Sequence, residues 1–273
     1  MDKRVCLCRC QSYENDEVRA AVRRILDAFG GAKAMIKPGD KVLIKPNLII
    51  GRAPEEATTT HPSVVAAVAA EFAEAGGKVT IADSPGGAYT EENMRKIYKL
   101  SGLEAAAEAT GALLNYDMSA RTVALSDAKV LSEAPVISPV LDADFIISLA
   151  KLKTHSLAYY TGAVKNLFGV IPGIAKKTYH ARFISATQFC EMLTDLCEFV
   201  KPGFSIVDGV VGMEGPGPTG GTPKRADVIG GAVNPYALDM AMGDVAGLQR
   251  RLNVILNVVE KRGLCPSTAA ELE

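Results

Sequence analysis

The stretch Asp142–Lys151 reads DADFIISLAK, and from Phe145 to Ala150 only Ser148 interrupts its apolar run. A strand of this kind has no wet face, so it must be covered on both sides, as in a parallel sheet packed between helices. Working outward, similar runs occur at KVLIKPNL (Lys41–Leu48), KVTIADSPGG (Lys78–Gly87) and FSIVDGVVGMEGPGPTGG (Phe204–Gly221), each ending in a polar, Gly- or Pro-bearing loop. Shorter strand signals lie at Val5–Cys10 and at the start of ADVIGGAVNPYALD (Ala226–Asp239), which continues into a turn and a helix.

Helical spacing fills the intervals. Asp16–Phe29 repeats Val18, Val22, Ile25, Leu26 and Phe29 on one face, with Gly30-Gly31 as its stop. Pro62–Ala75 starts on a proline behind His61 and ends at Gly76-Gly77. Further helices are predicted at Glu91–Leu100, Glu104–Thr110, Ala186–Val200 and Arg250–Lys261. Leu113–Val140 alternates, with Ser, Asp and Pro breaks, and reads as short antiparallel strands. The predicted fold class is therefore α/β: a mostly parallel central sheet with helices on both faces and a small antiparallel insertion near 113–140. No repeat or linker divides the chain, so residues 1–271 are expected to form one domain. Leu272-Glu273 matches what a common cloning site leaves and is set outside the fold; the natural protein is then expected to continue.

With 273 residues and 48% hydrophobic composition, the chain has enough apolar surface for a full core. A formal net charge of -1 and an aromatic share of 6% without Trp speak against nucleic-acid binding by bulk field or base stacking. No apolar run approaches the ~18 residues of a membrane span, and the N-terminus has no signal-peptide core. A cytoplasmic protein without membrane insertion is expected. Six cysteines are too few for a disulfide scaffold. Cys6, Cys8 and Cys10 would share one strand face, and Cys190 and Cys197 one helix face, which favours packing over ligation.

In open α/β sheets ligands lie beyond the carboxyl ends of the strands. The polar residues there are Lys45 and Asn47, Asp83 and Ser84, Lys151, Lys153 and His155, Asp208 and Glu214, and Asn234. The run from Ala150 to Arg182 gathers His155, His180, Lys151, Lys153, Lys165, Asn166, Lys176, Lys177 and Arg182 without one carboxylate. Such a cluster suits a phosphate or carboxylate, and a helix starting near Thr161-Gly162 would add its amides. Lys45, Asn47, Lys151, Lys153, Lys165, Asn166 and Arg182 are the predicted anion ligands. His155 or His180 is the predicted proton carrier. Asp83, Asp208 and Glu214 are the predicted ligands of a divalent metal, or one of them a base. Standard signatures for mononucleotide, dinucleotide, hydrolase and zinc-protease sites are absent from the sequence.

IKPNL, TTTHP (Thr58–Pro62), IADSPGG, the LAKLKTH…GAVKNLFGVIPG…YH block and IVDGVVGMEGPGPTGG occur in this order. Together they resemble the domain-of-unknown-function 362 family over roughly residues 3–250. Many members carry a C-terminal ferredoxin-like module, so the resemblance implies a domain linked to [4Fe-4S] electron transfer. The CxxCxxCxxxCP run of that module is missing here. The resemblance supplies neither reaction nor catalytic residues. The expected function is an enzyme domain binding a small anion in a redox or iron–sulfur linked pathway. The alternative is a non-catalytic docking or electron-transfer partner, whose clusters lie in a ferredoxin-like partner or fused module. A metal site built from the N-terminal cysteines is a further rival.

Overall fold

Among the described residues ten strands form: β1 (Cys6–Arg9), β2 (Lys41–Pro46), β3 (Lys78–Ile81), β4 (Leu113–Leu114), β5 (Ala120–Ala124), β6 (Glu133–Ile137), β7 (Phe145–His155), β8 (Tyr159–Thr161), β9 (Phe204–Glu214) and β10 (Thr222–Ala232). The computed structural model describes residues 2–273. The main sheet has the order β1-β10-β9-β7-β2-β3-β4, with β8 paired to β7. The pairings β9–β7, β7–β2, β2–β3 and β3–β4 are parallel. β10 runs antiparallel between β9 and β1, and β5 and β6 form a separate antiparallel pair. The structure is thus mixed α/β with a mostly parallel centre and a small antiparallel sheet.

The two-sided covering read from β7 is visible residue by residue. On β2, Ile44 joins the cluster under the helices Asn15–Asp27 and Pro62–Glu74, with Val22, Val68 and Phe72. Its neighbour Leu43 joins the opposite cluster, with Phe189, Leu193 and Ile255 from the helices Ala186–Val200 and Val254–Lys261. Ile146 and Ile147 of β7 divide in the same way. Each such buried side chain contributes about 1.5–3 kcal/mol, and alternation along the strand glues a helical layer to each face.

Four local readings change. β7 runs on to His155 because β8 folds back on it, pairing Lys153 with Thr161 and His155 with Tyr159; the basic run therefore begins as strand rather than loop. β9 and β10 form one long hairpin, so the Gly/Pro stretch is its tip. Leu113–Leu114 extends the parallel sheet beside β3, and only β5 and β6 are the antiparallel insertion. The helix expected at Arg250–Lys261 is split into a single turn at Arg250–Leu252 and a helix from Val254, which Asn253 caps through Leu256 N. Glu273 N donates to Lys3 O at 3.1 Å, and its carbonyl accepts from Val5 N at 2.9 Å.

Candidate functional site

Where β2 ends, the parallel register puts Lys45 beside Ser148 of β7, and Asp83 follows β3. Lys45 and Asp83 are both buried, with Lys45 Nζ 2.7 Å from Asp83 Oδ1. Asp83 Oδ2 accepts from Leu48 N at 2.8 Å, which ties the loop after β2 to the loop after β3. Asn166 joins the strands from above. Its Nδ2 donates to Lys45 O at 3.0 Å and Ser148 Oγ at 3.1 Å, while its Oδ1 accepts from Lys45 Nζ and Asn47 Nδ2, both at 3.2 Å. Burial pulls the Lys45 ammonium below its usual range, and Asp83 opposes that shift. Gly169 lies against the pair: a Cβ there would overlap Asp83 Oδ1 and Lys45 Nζ.

Asn166 and Lys165 ride on a single helical turn, Ala163–Asn166. Its start is held by Asp239 from the helix Pro235–Val245, whose carboxylate accepts from Ala163 N at 2.6 Å and Val164 N at 3.1 Å. Burial raises the Asp239 carboxyl to about 7, and these amides oppose the shift. The amides expected to serve an external anion are therefore already taken by an internal carboxylate. This corrects the reading of the Thr161-Gly162 region.

Above these residues lies a cavity of about 160 Å³, lined by Asn47, Asp83, Ser84, His155, Lys165 and Lys176 and walled by Phe168, His180 and Pro218. Pro218 comes from the β9–β10 hairpin tip. Lys165 is buried, and its ammonium makes no hydrogen bond or ion pair among the described residues. Burial lowers it to about 8, helped by Lys45 and opposed by Cys190 and Asp83. Lys176 donates to the carbonyls of Ser84 and Pro85. Burial lowers it to about 7, with Asp83 opposing and Lys45 and Lys165 adding to the shift. Asn47 Oδ1 and Ser84 Oγ are buried without a partner.

The histidines divide. His155 Nδ1 accepts from Leu157 N and Ala158 N, both at 3.1 Å, which leaves the ring hydrogen on Nε2. Burial, then Lys165, His180 and Lys153, lower it to about 2. His155 is thus a neutral donor rather than a group poised near neutral pH. His180 stacks on Phe189 with centroids 4.9 Å apart, and burial followed by Lys165 and Lys176 lowers it.

The other predicted residues lie elsewhere. Lys151 is buried against Asp208 at 2.8 Å and donates to Tyr13 Oη at 2.8 Å. Tyr13 Oη donates to Asp208 Oδ1 at 2.9 Å and accepts from Val211 N at 3.0 Å. Its ring stacks on His61 at 3.5 Å. His61 caps the helix Pro62–Glu74 by accepting from Ser63 N, and its own amide donates to Asp208 Oδ2 at 3.0 Å. Lys153 donates to Thr58 O and is pushed well below its usual range by burial and by Lys165 and Lys151. Arg182 is exposed over the Phe183 ring and lines no part of the cavity. Glu214 is exposed and paired with Lys224 at 3.5 Å.

The proposed carboxylate set therefore does not assemble: Asp83 faces Lys45, Asp208 faces Lys151, and Glu214 faces solvent. Among the described residues no three His, Cys, Asp or Glu side chains converge as a metal site. Cys8, Cys10, Cys190, Cys197 and Cys265 are buried and Cys6 is half-buried, all as free thiols. Of the residues that matter here, Lys176 was visible only as one of a basic run. Asp239 and Tyr13 carried no signal, because each acts on a segment distant in sequence.

Comparison with known proteins agrees with this architecture. A thylakoid-associated protein of Synechocystis is 36% identical over 273 residues, an alignment covering 100% of this chain and 83% of that protein. The lactate racemase apoprotein from Thermoanaerobacterium thermosaccharolyticum shares the fold at a TM-score of 0.53 and 12% identity, covering 89% of this chain and 57% of that one. Residues 42–244 match the family model described as Domain of unknown function (DUF362), and with the motifs at the ends of β2, β3, β7 and β9 this places the chain in that family.

Proposed function

We propose that this chain binds a small phosphate or carboxylate in the cavity beyond β2, β3 and β7 and acts on it as an enzyme domain. One observation carries the reading: Lys165 and Lys176 line a cavity whose single carboxylate, Asp83, is already engaged by Lys45, while Asn47 Oδ1 and Ser84 Oγ lie buried without partners. An unsatisfied buried polar group costs about 1–3 kcal/mol, and unpaired cations add to that cost. An anion accepting from Lys165, Lys176 and Ser84, with a hydroxyl or amine donating to Asn47, would satisfy all four. Titration calorimetry with inorganic phosphate and small carboxylates tests the reading. Binding that weakens at least tenfold in Lys165→Met and Lys176→Met supports it; unchanged binding in both variants, or no binding by wild type, overturns it.

The redox or iron–sulfur setting implied by the family belongs to this proposal as its context. The cysteines here do not fit a cluster: three lie along or just beyond β1, two on the helix Ala186–Val200 and one near residue 265, and they do not converge. Any [4Fe-4S] centre would then belong to a ferredoxin-like module or partner. No helix among the described residues is long and apolar enough to cross a membrane. A cytoplasmic location remains our reading.

A further inference from the structure

We propose that Lys165 is a reactive amine that forms an imine with a small anion bearing a carbonyl group, such as a 2-oxo acid or an aldehyde phosphate. This inference rests on the anion-binding reading of the cavity and names the chemistry that the site would perform.

Three features of the site support it. Lys165 is buried at the cavity wall and, unlike Lys45, Lys151, Lys153 and Lys176, makes no hydrogen bond or ion pair with a carboxylate or carbonyl among the described residues. Its backbone is fixed, because Asp239 holds the start of its turn and Asn166 anchors the end to β2 and β7. The groups around it are mainly cationic or neutral. Burial and then Lys45 act against protonation of Lys165, and only Cys190 and Asp83 oppose them. A desolvated lysine beside other cations is an established way to free an amine for nucleophilic attack. Its value of about 8 leaves a usable fraction unprotonated near neutral pH.

The neighbours supply the remaining roles. Lys165 Nζ attacks the carbonyl carbon, and a carbon–nitrogen bond forms as the carbonyl π bond opens. The oxygen is protonated and leaves as water, taking up in total the two hydrogens of the neutral amine. Lys176, held to about 7, is suited to pass these protons. The neutral His155 can donate from Nε2 to the carbonyl oxygen, as a polarising group that does not titrate. No oxidant or reductant is needed.

The test is reductive trapping on the full chain. Pyruvate and glyceraldehyde 3-phosphate are each added with sodium cyanoborohydride, the adduct is located by peptide mass spectrometry, and phosphate binding is measured in parallel by calorimetry. A single adduct on Lys165, suppressed by excess phosphate and absent from Lys165→Met, supports the proposal; whichever probe labels identifies the carboxylate or phosphate source. Phosphate binding without an adduct overturns the imine but leaves the anion site standing. An adduct on Lys176, or scattered over surface lysines, also overturns the imine. Neither binding nor adduct overturns both readings. Because the wild-type chain gives the site directly, the outcome does not depend on whether the variant folds.

Discussion

Lys45 Nζ and Asp83 Oδ1 are 2.7 Å apart in a buried position where two parallel strands end, and Gly169 leaves no room for a side chain beside them. Losing one partner of such a pair strands a buried charge and costs about 3–5 kcal/mol. Lys45→Met and Asp83→Asn are each expected to lower the urea midpoint substantially. Lys45→Met combined with Asp83→Leu should lose less than the sum of the two single losses. Gly169→Ala should push the pair apart, costing about 1–3 kcal/mol and weakening phosphate binding even though no charge has changed. Chemical denaturation and calorimetry on these variants check both statements.

Stability and binding should move in opposite directions with pH. Lys165 and Lys176 are held to about 8 and about 7 in the folded chain, against 10.5 for an ordinary lysine. Between those values and the unfolded pKa, the unfolded chain holds more protons, so stability of the free protein rises with pH from about 7 toward 10. Anion binding needs the ammonium forms and is expected to fall as pH rises through about 7 to 8, with the bound anion moving that midpoint upward. Denaturation and calorimetry over pH 6–10 check this. A pH-independent affinity would contradict the assignment of both lysines.

Asp239 is expected to matter for binding without touching the ligand. Asp239→Ala leaves the Ala163 and Val164 amides unpaired, a loss of about 2–4 kcal/mol. The turn carrying Lys165 and Asn166 should loosen. Phosphate affinity is then expected to drop while Asp239→Asn, which keeps one acceptor, recovers part of it. Affinity measured on both variants distinguishes positioning from a merely global loss of stability.

Tyr13 provides the contrasting case. Its hydroxyl joins Lys151, Asp208 and Val211 in a network that shares no residue with the cavity lining. Tyr13→Phe should cost about 1–2 kcal/mol in denaturation and leave phosphate affinity within twofold. A large loss of binding would show that the two networks are coupled.

Much of this architecture was legible because burial writes itself into sequence. The run Phe145–Ala150, apolar but for Ser148, required helices on both faces, and Leu43 and Ile44 do point to opposite layers. Asn47, Asp83, Ser84 and His155, read from strand ends, line one cavity, since parallel strands deliver their carboxyl ends to one edge; Lys165 reaches it from the turn Ala163–Asn166. Local composition was less informative about roles. A basic stretch without acids reads as one cluster, yet its members separate. Lys151 turns to Asp208, Lys153 to Thr58 and Arg182 to Phe183, while Lys165, Asn166, Lys176 and the histidines His155 and His180 reach the cavity.

The sequence by itself determined the layered α/β plan and the edge at which polar groups gather, because periodicity and strand-end chemistry act over a few residues. Only the tertiary structure decided which cations are neutralised and which remain free. That choice depends on contacts such as Lys45 with Asp83, Lys151 with Asp208 and Asp239 with the 163–166 turn. These partners are brought together by strand order and helix packing across long stretches of chain. The electrostatics of a buried charge follow from the groups within a few ångströms of it, not from its neighbours in sequence.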